Sequence, residues 1–246
     1  MRRQLLMIAL VGIQALAANL ARAEDAGSLD QKKWKTRKIE GWTIHVDRKL
    51  IKDDKKSLGI ALKLLSVQLK EITEVVPADA VKELKTVTLW FSPKYSNAPE
   101  RAEYHPGAQW LKDNGRDAIM VKGVEFTNVR MFAAETRRMP NFALHELAHA
   151  YHDQVLSFKH KEVAAAYERA KAGGKYDRVL RQDSEGKKRH DRAYALTNPM
   201  EYFAESTESL FVKNDFQPFD KDELISHDPV MFKLLKRLWG VADESR

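Results

Sequence analysis

Hydrophobic and polar positions along this chain change their spacing near residue 140, and that change suggests the architecture. In residues 39–46, IEGWTIHV, β-forming side chains are flanked by charges, which predicts a strand or a short hairpin. Residues 57–76 carry Leu58, Ala61, Leu62, Leu65, Val67, Leu69, Ile72 and Val75 at spacings of three and four. That recurrence predicts an amphipathic helix, ended by Pro77. Short apolar runs at 87–91 (VTLWF) and 118–121 (AIMV) predict two more strands. Residues 92–116 between them hold Pro and Gly punctuation and predict an extended loop.

Helical spacing then takes over. It predicts helices over 142–156, 161–172 (closed by Gly173-Gly174), 198–212 and 228–238. Residues 176–196 read as a hairpin around Asp183-Ser184-Glu185-Gly186. Strands and one helix followed mainly by helices make an α+β fold, expected as one domain over residues 24–246.

The amino terminus obeys another rule. A basic Met1-Arg2-Arg3, an apolar run over 5–20 and Ala21-Arg22-Ala23 before Glu24 have the form of a secretory signal peptide, residues 1–23. The apolar run is shorter than the ~20 residues a spanning helix needs, so the expected mature protein has no membrane span and is secreted or periplasmic. The chain has no cysteine, which excludes thiol nucleophiles, Cys-ligated zinc and disulfides. The formal charge of +7 overstates the mature surface, because Arg2, Arg3 and Arg22 fall in a leader without acids. Charge runs such as 52–56 and 187–189 are the usual make-up of a solvated surface, and without interleaved aromatic and basic residues no nucleic-acid partner is expected.

The candidate chemistry lies in His145-Glu146-Leu147-Ala148-His149. On a helix, residues four apart share one face about 6 Å apart along the axis. Two imidazoles so placed can converge on one zinc ion, and the intervening glutamate can reach a water beside it. Leu144, Leu147, Ala148 and Ala150 leave the rest of the helix apolar, with Tyr151 opposite the histidines, as burial of its back requires. His152 lies near the His145 face but about 10.5 Å along the axis, too far to share the ion. A place beside the substrate, behind the ligands or in solvent remains for it. The metzincin pattern requires glycine at 152 and histidine at 155, where this chain has His152 and Val155.

A third ligand is expected from Asn198-Pro199-Met200-Glu201-Tyr202-Phe203-Ala204-Glu205. Asn198 suits an N-cap and Pro199 the first helical position. Glu201 and Glu205 then share a face, so that one can ligate while the other accepts the N–H of a ligating histidine. Glu201 also stands where a capping-box glutamate would.

HELAHAYH followed by NPMEYFAES resembles the gluzincin metallopeptidases, and within them the anthrax lethal-factor-like catalytic domains. The resemblance spans residues 140–211. It implies a zincin-like fold with one zinc ion held by His145, His149 and Glu201. It also implies Glu146 as general base and Tyr194, seven residues before the third ligand, as oxyanion donor. The implied substrate is a peptide or protein, with residues 118–126 nominated as the strand edge that holds it. A zinc-containing cell-surface binding module without activity is the alternative; it would have no need of Glu146.

Overall fold

The structure, a computed structural model, describes residues 29–242, so the predicted signal peptide lies outside the described residues. The first element is a hairpin, β1 (Trp34–Ile39) and β2 (Trp42–Asp47), paired antiparallel. Its two-residue turn, Glu40-Gly41, has φ of 49° and 93°. Positive φ at both turn residues matches the twist of the strands, and the second position falls to glycine. Along β2 the burial alternates, with Trp42, Ile44 and Val46 turned into the core.

Helices α1 (Arg48–Asp53), α2 (Lys55–Val75) and α3 (Ala78–Leu84) follow. Helix α2 buries Leu58, Ala61, Leu65, Leu69 and Ile72, each contributing about 1.5–3 kcal/mol in the case of the larger side chains. Its end follows from Pro77, which holds Val76 extended. Val67 faces solvent at 61% exposure, and the next residue, Gln68, is buried instead. The Gln68 amide has partners that offset its burial. Its Oε1 accepts the Ala143 N–H at 3.1 Å and its Nε2 donates to Thr136 at 3.2 Å.

Strands β3 (Leu89–Phe91), β4 (Ala102–Tyr104) and β5 (Val124–Phe126) complete a five-stranded mixed sheet of order β1-β2-β3-β5-β4. β2, β3 and β5 run parallel, and β4 pairs antiparallel with β5 at the edge. Gly123 is required where the chain passes β3, because a Cβ there would stand 2.6 Å from Trp90 Nε1 and 2.8 Å from the Thr88 carbonyl.

Two expectations fail in this region. Residues 92–116 are not all loop, since they contain β4 and helix α4 (Ala108–Asp113). Residues 118–121 are not a strand: Ala118–Met120 is a 3₁₀ turn whose start is capped by the Asp117 side chain, and Met120 fills a small cluster with Trp34, Trp90 and Leu111.

The remaining chain is mainly helical: α5 (Phe132–Arg138), α6 (Phe142–Tyr151), α7 (Lys161–Ala172), α8 (Pro199–Phe211), α9 (Lys221–His227) and α10 (Pro229–Trp239). The hairpin β6 (Val179–Gln182) and β7 (Lys188–Asp191) interrupts it, as the sequence predicts. The long helix expected over 142–156 is regular only as far as Tyr151 and continues as a π-helical turn, His152–Leu156. The whole is α+β with a small mixed sheet. Among the described residues, no helix is long and apolar enough to cross a membrane.

Candidate metal centre

Helix α6 is held at its start by Asn141. The Asn141 Oδ1 accepts the Leu144 N–H at 3.1 Å, while its Nδ2 donates to the Gln68 carbonyl and to Glu71. Every residue of α6 is buried except Glu146. A helix buried almost all round has no freedom to turn, so the face carrying His145 and His149 is fixed by packing.

Helix α8 supplies the facing carboxylates. Asn198 caps it by accepting the N–H groups of Met200 and Glu201, both at 2.9 Å, and Pro199 occupies the first turn. The Glu201 side chain turns to the histidines. Its Oε2 lies 3.1 Å from His145 Nε2 and 3.3 Å from His149 Nε2, and the two nitrogens are 3.1 Å apart. Ligands at ~2.0–2.1 Å from a tetrahedral ion would stand about 3.3–3.4 Å from one another. The observed triangle matches one face of that tetrahedron to within a few tenths of an ångström.

The donor chemistry also fits a cation. His145 Nδ1 lies 2.6 Å from Glu208 Oε1, a charge-assisted hydrogen bond with the proton between them. With Nδ1 carrying that proton, a neutral His145 turns its Nε2 lone pair towards Glu201 and His149. Three electron-rich atoms facing one another at such distances call for a positive charge among them.

The electrostatics show the same demand for positive charge at these atoms. Burial works against a charged His145, yet hydrogen bonds to Glu201 and Glu208 outweigh it and raise its pKa well above the ordinary value. Burial would likewise raise Glu201, but the two imidazoles hold it well below the usual carboxylate range. Glu208 is pushed up to about 7 by burial, which the His145 contact only moderates.

Glu208 was not among the residues expected here, and it takes the role expected of Glu205. The nearer Glu205 oxygen is 3.8 Å from His145 Nδ1, and its other oxygen accepts from Asn214 at 3.1 Å. Glu201, Glu205 and Glu208 form a stripe at i, i+4 and i+7 on α8, and that spacing could have revealed the third member. His145, Glu205 and Glu208 also stand close together, on the Nδ1 side of the ring. The 2.6 Å hydrogen bond makes that grouping a support for the imidazole.

Glu146 turns its carboxylate to the sheet edge, where Oε2 accepts the Tyr104 N–H at 2.9 Å. This contact reveals which strand borders the site. Residues 101 and 105 bond to β5 through Thr127 N to Arg101 O and His105 N to Gly123 O. The alternation of an antiparallel ladder therefore turns the N–H and C=O groups of Ala102 and Tyr104 away from β5, towards the cleft. The nomination of residues 118–126 is thus overturned. β5 is buried within the sheet, covered by β4, and the free edge belongs to β4. Arg116 reinforces that edge from behind, donating to Glu103 at 2.6 Å and to Glu125 at 3.1 Å.

Tyr194 stands in a 3₁₀ turn just before α8, 46% exposed. It lines both lobes of the cleft, of about 270 and 280 Å³, together with His145, Glu146 and Ala102. Partial burial and the nearby Glu201 carboxylate raise its pKa, so its hydroxyl keeps its proton at neutral pH. His152 is fully buried between Phe158 and Phe203, with neither ring nitrogen hydrogen-bonded to protein. Burial first, and then the neighbouring His149 and His160, lower its pKa to about 4.

All five residues named from the sequence thus line one cleft: His145, Glu146, His149, Tyr194 and Glu201. The chain matches no known protein family, no curated protein and no solved structure.

Proposed function

We propose that this chain is an exported zinc-dependent metallopeptidase of the gluzincin type, with a zincin-like fold. The observation that carries the reading is the triangle of His145 Nε2, His149 Nε2 and Glu201 Oε2, with Glu146 beside it on an open cleft. An inert metal module would need neither Glu146 nor the cleft.

Zinc at that triangle would supply Lewis acidity towards a carbonyl and a water. The remaining work falls to the chain. The outer edge of β4 offers the backbone N–H and C=O of Ala102 to an extended peptide, which would add as a further strand, while the Tyr104 N–H is held by Glu146. Glu146 takes the proton of the attacking water and delivers it to the leaving amine. Its hydrogen bond from Tyr104 ties the base to the strand that holds the substrate. Tyr194 donates to the developing oxyanion, an interaction of the kind worth about 3 kcal/mol. Glu208 keeps the proton of His145 on Nδ1, leaving Nε2 free to ligate.

The test measures zinc content and peptide-library cleavage for the mature protein and for Glu146→Gln. One zinc in each, with cleavage by the parent alone, is expected. Absence of bound metal, or equal cleavage by both, would overturn the proposal.

A further inference from the structure

Resting on the peptidase reading, we infer that Arg116, which lines neither lobe of the cleft, is a positioning residue for the substrate. Its guanidinium clamps β4 to β5 and so sets the edge on which the peptide would lie.

β4 needs such a clamp. It pairs with β5 over three residues, and the middle pair sets Glu103 directly opposite Glu125. Like charges in that position push two strands apart. Arg116 reverses the sign of the contact, because its Nη1 donates to Glu103 at 2.6 Å and to Glu125 at 3.1 Å. One cation thus holds both strands at the centre of their pairing. Its neighbours do not replace it. Arg101 comes only within 3.9 Å of Glu103, from a side chain 47% exposed, where water screens the pair. Tyr95 donates to Glu125 at 2.8 Å, and His105 Nε2 lies 3.0 Å from the same carboxylate. Those contacts serve Glu125 and leave Glu103 to Arg116.

Arg116 is itself fixed in place. Its guanidinium lies over the rings of Tyr95 and Trp110, 4.9 and 4.8 Å from their centroids, and its side chain is buried. Its N–H donates to the Leu111 carbonyl at 2.8 Å, which anchors it at the end of α4. A planar guanidinium stacked on aromatic faces keeps its hydrogen bonds in one direction, and burial spares the pair most screening by salt.

The consequence reaches the cleft through the strand. Glu103 stands between Ala102 and Tyr104, with its side chain on the opposite face of the sheet from theirs. Ala102 turns its N–H and C=O to the cleft, and Tyr104 donates its N–H to Glu146 at 2.9 Å. A shift of β4 would therefore move the partner of the substrate and the general base together.

The test compares the zinc-loaded mature protein with Arg116→Met on a peptide that the parent cleaves. Zinc content should hold, and KM should rise roughly 3–10-fold, as loss of one backbone hydrogen bond does. In hydrogen exchange read by NMR, the Glu103 and His105 amides, which face β5, should lose most of their protection while α6 and α8 keep theirs. Two further variants separate positioning from a folding defect. Glu103→Gln added to Arg116→Met should recover most of the loss, since the amide removes the like charge and can donate to Glu125. Ala102→Pro added to Arg116→Met should raise KM no further than Ala102→Pro alone, because both act through one edge, whereas independent defects would multiply. An unchanged KM, unchanged exchange, no recovery with Glu103→Gln, or multiplied effects would overturn the inference and leave the peptidase reading standing. A parent that cleaves no peptide would sink the peptidase reading instead. Exchange then decides the clamp: it stands if the β4 amides alone open in Arg116→Met and Glu103→Gln closes them, and falls otherwise.

Discussion

Replacing Glu208 by glutamine separates the support of His145, the proposed metal ligand, from the stability of the fold. The glutamine is nearly isosteric and its carbonyl can still accept from His145 Nδ1, where Glu208 Oε1 now stands at 2.6 Å. What disappears is the negative charge. A hydrogen bond to a charged group contributes about 1.5–3 kcal/mol against ~0.5–1.5 for a neutral one, so about 1–2 kcal/mol of support for the imidazole is lost. Loss of such partners behind a metal ligand costs roughly 10–100-fold in affinity, or about 1.4–2.8 kcal/mol, which agrees. The metal-free protein should respond differently. Glu208 is fully buried and its Oε2 has no partner, so neutralising it removes a buried charge. Its melting temperature without metal should hold or rise. The stabilisation that zinc adds should shrink by the same 1.4–2.8 kcal/mol, roughly 3–10 °C at saturating metal for a chain of this size. Zinc competition against a chromophoric chelator, with melts in zinc and in EDTA, reads both quantities. An unchanged zinc affinity in Glu208→Gln would refute the assignment, as would a metal-free protein that loses more stability than the zinc form.

Three further outcomes are expected. Tyr194→Phe should keep its zinc and its fold while kcat on a peptide substrate falls about 10²–10³-fold, as removal of one oxyanion donor does; a loss confined to KM would refute the assigned role. Ala102→Pro removes an N–H that faces the cleft rather than β5, and edge strands tolerate proline there. It should raise KM roughly 3–10-fold at constant zinc content, from one lost hydrogen bond, and an unchanged KM would remove β4 from the substrate path. His152 has a folded pKa lowered from 6.5 to about 4, so the unfolded chain takes up that proton first and stability is lost as pH falls through this window. In EDTA, His152→Leu should therefore gain about 2 kcal/mol on the parent between pH 7 and pH 5 in denaturant titrations, and a gain independent of pH would contradict the buried neutral imidazole.

What could be read from the sequence depended on how local each signal was. His145 and His149 lie one turn apart, and Asn198 and Pro199 announce the start of α8 by their own backbone preferences, so both helices and the meeting of His145, His149 and Glu201 were legible. Glu208 needed only the same periodicity carried one turn further. β4 could not be read in this way. Its three residues, Ala102, Glu103 and Tyr104, become a strand through pairing with Phe126, Glu125 and Val124, 20 to 24 positions away, and no local pattern encodes that partner. The AIMV run failed for the opposite reason. Four apolar residues suit a strand or a buried turn equally, and the Asp117 cap together with the Trp34–Trp90 cluster decided for the turn. His152 went unplaced because helical geometry locates a side chain relative to its own axis and says nothing of Phe203 on another helix.

The ligand triangle draws its donors from two helices far apart along the chain, with His149 on one and Glu201 on the other. With zinc bound as proposed, the ion closes a loop of about 50 residues, which in the chain-entropy treatment of cross-links corresponds to about 4 kcal/mol of restriction on the unfolded state. A chain without cysteine has no covalent bridge to serve that purpose. Its staple would be reversible, and on the proposed reading scarcity of metal would expose the chain to proteolysis as well as silence its chemistry.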